Sequence, residues 1–101
     1  MIITATVLFV LADMFIGIVL AFLPWSRIKD WFTSRESMFD ADENKLRVTL
    51  HEKLSSGQHR VVYGIFNKAT SKFIEGEAVV AKEIDGEIAE FHNGNALVVY
   101  S

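Results

Sequence analysis

The amino-terminal quarter of the chain is its most apolar part, and it restricts the possible folds more than any other feature. The segment Ile2–Leu23 contains one charged residue, Asp13, and is otherwise apolar on every face of a helix. Such a helix would be about 33 Å long at ~1.5 Å per residue, enough to cross the ~30 Å hydrocarbon core of a bilayer. Buried helices of globular proteins are seldom apolar all round over this length. The sequence therefore predicts a transmembrane helix over residues 1–24.

A cleavable signal peptide and a buried core helix are the alternatives for this segment. A signal peptide would have a basic start, a shorter apolar run and small residues before the cleavage point, and the segment has none of these. Cations follow the apolar run but do not precede it, namely Arg27, Lys29 and Arg35. The positive-inside rule then places the amino terminus outside. We therefore expect a single-pass membrane protein whose carboxyl-terminal part is cytoplasmic.

Asp13 would lie near the middle of the bilayer, where a carboxyl group costs at least ~2.5 kcal/mol. On a helix it shares a narrow stripe with Thr6, Gly17 and Ala21, which is interrupted only by the bulky Phe9. Small residues at this spacing let two helix backbones approach each other. The stripe predicts an interface with other transmembrane helices, in a hetero-complex or a homo-oligomer. A protonated carboxyl in a simple anchor and a proton relay are the alternatives.

Residues 25–44 are predicted to form a short amphipathic helix followed by an acidic linker. Pro24 ends the preceding helix because it lacks a backbone donor. The apolar positions of the second helix recur at helical spacing, at Trp25, Ile28, Trp31 and Phe32. Two arrangements remain open for this face. It lies in the membrane interface in contact with lipid, or it packs on the carboxyl-terminal domain or on a partner's helix.

Residues 45–101 are predicted to form a small β-rich domain. Apolar and polar residues alternate from Lys45 to His51, which indicates a half-buried strand. Further strands are predicted over His59–Phe66, Lys72–Ala81 and Ala96–Tyr100, with turns between the first three.

The stretch 82–93 decides the fold class of this domain. Asp85-Gly86 is a hairpin signal. The spacing of the apolar residues favours a helix instead, and Asn93-Gly94 resembles its end. We predict the helix, so the fold class is a transmembrane helix plus a small α+β domain with an antiparallel sheet and one short helix. A five-stranded all-β meander is the alternative.

The sequence contains little that indicates chemistry. Its net charge is −3 with no basic face or tail, so it lacks the electrostatic signature of a nucleic-acid-binding protein. Cysteine is absent, which excludes disulfides and thiolate chemistry. His51, His59 and His92 lack a metal-ligand spacing, although two of them could approach across a hairpin. We therefore predict no enzymatic activity, no cofactor, no metal site and no small-molecule substrate.

These features favour a structural or accessory subunit of a membrane protein complex, docked through the face of Asp13, Gly17 and Ala21. One alternative is a membrane-tethered cytoplasmic binding or regulatory module, which would use an open edge of its sheet. A weaker alternative is a pilin-like subunit of an exported filament. An apolar amino-terminal helix with an internal acid before a small β domain is typical of pilins, but the basic leader is missing.

Overall fold

A five-stranded mixed sheet organises the chain in the computed structural model, which describes residues 4–13, 15, 17–40 and 42–100. The order of the strands across the sheet is β1-β4-β3-β2-β5, so β1 and β5 form its edges. The helices are α1 (Ala5–Ala12), α2 (Trp25–Thr33), α3 (Ser37–Asp40) and α4 (Gly86–His92). The strands are β1 (Gly17–Leu23), β2 (Lys45–Lys53), β3 (His59–Asn67), β4 (Lys72–Ile84) and β5 (Leu97–Tyr100).

The apolar amino-terminal segment forms a short helix and a strand instead of one long helix. Helix α1 has eight residues, and its first turn is capped by the Thr4 side chain, which accepts a hydrogen bond from the Val7 amide at 3.3 Å. Strand β1 follows with seven residues. Within the predicted span, Met1, Ile2, Ile3, Met14 and Ile16 lie outside the described residues.

Within the part of the chain that the structure describes, no helix is long and apolar enough to cross a membrane. The predicted transmembrane helix is therefore wrong. The membrane location and the orientation with a cytoplasmic carboxyl-terminal domain were inferred from that helix, and they are wrong with it.

The physical reason lies in how β1 is placed. It runs parallel to β4, from Gly17 opposite Ala78 to Leu23 opposite Ile84. Strands of parallel pairs commonly read as continuous apolar runs, and β1 does so although it is an edge strand with several exposed residues. Such a run has the same hydropathy as part of a membrane span, so apolar content alone does not separate the two.

The sheet also differs from both predicted forms of the carboxyl-terminal domain. The pairs β2–β3, β3–β4 and β2–β5 are antiparallel as expected, but β1 adds a parallel pair. Neither a purely antiparallel sheet nor a five-stranded meander is therefore correct. The predicted segments 1–24, 25–44 and 45–101 all contribute to one small α+β fold around this sheet.

Each face of the sheet carries its own hydrophobic core. On one face α1 inserts Leu8 and Ala12 against side chains of β2, β3 and β4 such as Val62. On the other face α2 inserts Ile28, and α4 inserts Ile88. Alternate residues of β3 serve the two cores, which explains why every residue from Val61 to Phe66 is buried. The sheet is thus covered on both faces by helices.

Asp85 connects the end of β4 with the starts of two helices. One carboxylate oxygen accepts from the amide of Glu87 in α4 at 3.2 Å, and the other accepts from the amide of Trp25 in α2 at 3.2 Å. A negative charge at a helix amino terminus is favourable because the amides there lack helical partners. The helix predicted over the stretch 82–93 forms only at residues 86–92, because residues 82–84 continue β4. Asp85 is the cap of this helix rather than part of a hairpin turn.

Candidate functional site: the free edge of strand β1

The residues of the predicted helix–helix interface lie on different elements. Thr6 is in α1, Asp13 is the residue that ends it, and Gly17 and Ala21 are in β1. The four residues therefore do not form one helix face. The Asp13 carboxylate instead pairs with the Arg60 guanidinium of β3 at 2.9 Å, and its side chain is largely exposed.

The predicted membrane-interface residues pack on the sheet. Ile28, Trp31 and Phe32 of α2 are buried in the core that this helix shares with β3 and β4. Trp25 is half-buried, and its ring centre lies 4.8 Å from that of Phe91 in α4. This is the second of the two arrangements that the sequence leaves open, in which the aromatic face packs on the protein's own domain.

Strand β1 presents an unusual surface at the edge of the sheet. Among the described residues it pairs only with β4, so its outer backbone groups have no strand partner. Its side chains are all apolar, yet Val19 is 78% exposed and Phe22 is 47% exposed. Gly17 and Ala21 are exposed as well.

Natural edge strands usually carry features that prevent pairing with another chain. These include lysine, proline, bulges and very short length. The opposite edge strand, β5, has only four residues. Strand β1 has seven residues, no charge and no bulge in its pairing with β4, and the nearest proline, Pro24, follows the strand. The outer edge of β1 is therefore open to an additional strand.

A second group of polar side chains lies on the sheet face that carries α4. The Nδ1 of the buried His92 lies 2.7 Å from the backbone oxygen of Asn95. A carbonyl only accepts, so Nδ1 carries the proton and Nε2 is an acceptor. Thr49 then donates to Nε2 at 2.9 Å, and its oxygen accepts from the Tyr100 hydroxyl, also at 2.9 Å. Burial lowers the pKa of His92, which favours the neutral imidazole that these hydrogen bonds require.

His51 and His59 approach each other across the β2–β3 hairpin, as the sequence suggests. Nε2 of His51 lies 2.9 Å from Nδ1 of His59, with ring centres 5.2 Å apart and an interplanar angle of 20°. The distance between the ring centres exceeds the distance between the nitrogens by about the sum of the two ring radii. The two nitrogens therefore lie close to the line that joins the ring centres, so the rings meet edge to edge rather than stacked. One proton lies between the two nitrogens. Burial, and then the neighbouring imidazoles, lower the pKa of His51.

The two ring nitrogens of this pair are engaged with each other. Both nitrogens of His92 are already engaged. Within the described ranges, no group of three or more histidine, aspartate or glutamate side chains is arranged to hold a metal ion.

A further polar contact fixes α2 on the sheet. The buried Tyr63 hydroxyl donates to Glu77 at 2.6 Å and accepts from Arg27 of α2 at 3.1 Å. Burial, followed by the hydrogen bond to Glu77, raises the pKa of Tyr63 well above its ordinary value. A phenol that keeps its proton at neutral pH serves here to hold the helix in place.

Comparison of the chain with family profiles, with curated proteins and with solved structures found no match in any of the three.

Proposed function

We propose that this protein is a self-associating structural subunit, in which β1 pairs antiparallel with β1 of a second copy. The pairing would join two five-stranded sheets into one continuous sheet. The observation that carries the proposal is the free, uncharged and exposed edge of β1. It retains the assembly role expected from the sequence, with Gly17 and Ala21 acting in a strand rather than on a helix.

The sequence of β1 is complementary to itself in one register. When two copies pair antiparallel about Leu20, Gly17 lies opposite Leu23, Ile18 opposite Phe22, and Val19 opposite Ala21. Gly17 with Leu23 and Val19 with Ala21 each combine a smaller with a larger residue, whereas Ile18 with Phe22 combines two large apolar side chains. All seven residues of the strand would then pair with the second copy. Both strands of the pair would then be the same uncharged apolar segment.

The two-fold symmetry of the pairing duplicates every contact away from the axis. A two-fold interface repeats each unlike pair, so the pair of Val19 with Ala21 occurs twice. Cross-strand pairs contribute about 0.2–1 kcal/mol each, and unpaired backbone groups gain new partners. No like charges meet, because the strand contains none.

The register can be tested by charge substitution at one repeated pair. Val19→Lys and Ala21→Glu should each weaken the dimer, by about tenfold or more in Kd, because a charge is brought into an apolar contact without a partner. The double variant places lysine opposite glutamate twice, so it should recover most of the affinity. Sedimentation equilibrium or light scattering over a range of concentrations measures the dimer constant.

Val10→Lys is the matched control, since Val10 is 66% exposed but lies on α1. It should leave the dimer unchanged. Circular dichroism and thermal melting establish that each variant is folded. A wild-type protein that stays monomeric at all concentrations would refute the proposal. A dimer that tolerates both single substitutions would refute the involvement of β1.

A further inference from the structure

A cavity of about 170 Å³ lies between α2 and the neighbouring strands β2 and β5. Three aromatic side chains contribute to its lining, Trp25, Phe32 and Tyr100. Their rings contact one another, with centres 5.9 Å apart for Trp25 and Tyr100 and 6.2 Å for Phe32 and Tyr100. The cavity thus has an aromatic wall beside the edge strand β5.

Two cations also line this cavity, Lys29 of α2 and Arg47 of β2. Arg47 lies over the ring of Phe39, with its guanidinium carbon 3.9 Å from the ring centre. Within the described part of the chain neither cation forms a salt bridge, whereas Arg27, Arg35 and Arg60 all do. One acid, Glu36, is present on the lining, so the cavity carries an excess of positive charge.

We propose that this cavity binds a small aromatic carboxylate, with its ring against the aromatic side chains and its carboxylate on Arg47 and Lys29. A cavity of about 150 Å³ accommodates one benzene ring, so the volume suits a single ring. Arginine binds carboxylates through paired hydrogen bonds, and lysine adds a second charge. An aromatic lining can also attract a cationic ligand, but Lys29 and Arg47 would repel such a ligand here.

The inference is independent of self-association, because no residue of β1 lines the cavity. Benzoate is a suitable probe, benzamide tests the same ring without the charge, and acetate tests the charge without the ring. The indole N–H resonances of the two tryptophans report the location in ¹H–¹⁵N spectra. Trp25 lines the cavity, whereas Trp31 is buried against Tyr63 and serves as the internal control.

Benzoate should shift the Trp25 indole resonance saturably, with a Kd of about 1 mM or tighter given the small number of ligand atoms. Benzamide and acetate should each bind about tenfold more weakly or not at all. Arg47→Gln should weaken benzoate about tenfold. Lys29→Gln, at an exposed position, should weaken it in the same direction without affecting folding.

Lys68→Gln is the matched control, because Lys68 is an exposed cation in the turn between β3 and β4 and does not line the cavity. It should leave benzoate binding unchanged. Equal binding of benzoate and benzamide would overturn the assignment of the two cations. A Trp25 resonance that does not respond to benzoate would overturn the site itself.

Discussion

Replacing Thr49 with valine should destabilise the protein by removing one hydroxyl group. Thr49 is fully buried, and valine matches its shape, so the change in packing is small. The hydroxyl is the donor to Nε2 of His92 and the acceptor for Tyr100. The valine side chain can neither donate nor accept a hydrogen bond, so the substitution removes these two hydrogen bonds and changes little else.

The two partners are affected differently. His92 is 1% exposed, so its Nε2 has no access to water and is left as a buried acceptor without a donor. That costs about 1–3 kcal/mol. Tyr100 is only half-buried, and its hydroxyl can turn towards solvent. We expect a total loss of about 2 kcal/mol, which corresponds to a decrease in Tm of roughly 10 °C for a chain of this size.

Chemical denaturation of a double-mutant cycle provides the assay. In a His92→Phe background the acceptor is absent, so Thr49→Val should cost less than about 0.5 kcal/mol. The coupling between the two positions should therefore exceed about 1 kcal/mol. The explanation is refuted if Thr49→Val costs the same in both backgrounds, or if it costs less than about 0.5 kcal/mol in the wild type.

Three further predictions concern pH and glycine. Burial holds the pKa values of His51 and His92 below their ordinary value of 6.5, so the unfolded chain takes up these protons first. The contribution of the two neutral histidines to stability is complete above pH 6.5 and is lost as the pH falls towards their pKa values in the folded protein. Urea denaturation should therefore show a lower free energy of unfolding at pH 5 than at pH 7.5. Gly64→Ala should cost about 1–3 kcal/mol in the same assay, because its Cβ would lie 2.7 Å from the backbone oxygen of Glu75. Gly86→Ala should be neutral or stabilising by up to ~1 kcal/mol, since no atom lies within 4 Å of the new Cβ, and a clear decrease in Tm would contradict this.

The β2–β3 hairpin could be predicted from the sequence because its signals are local. Alternation of apolar and polar residues identifies β2, and the turn before His59 contains Gly57, whose φ is +88°. The end of α4 could be predicted in the same way, because Asn93 ends the helix in the left-handed conformation. Its start could not, because residues 82–84 continue β4 and Asp85 acts as a helix cap rather than as part of a hairpin turn.

The contacts of the candidate sites could not be predicted in the same way. The polar chain on the α4 face joins Thr49 in β2, His92 in α4 and Tyr100 in β5. No spacing in the sequence connects these residues, because the crossing of α4 over the sheet brings them together. The free edge of β1 likewise depends on which strand pairs with β4.

The amino-terminal segment shows most clearly what only the tertiary structure decided. Its sequence determined that burial of much of Ile2–Leu23 is favourable, since a single charge interrupts the apolar run. Hydropathy measures the free energy of leaving water and is the same for burial in lipid or in protein. The choice between one long helix and the pair of α1 and β1 depends on whether the rest of the protein provides a strand for β1 to pair with and an apolar surface for α1 to pack on. Here β4 offers a parallel partner to β1, and the sheet offers an apolar face to Leu8 and Ala12.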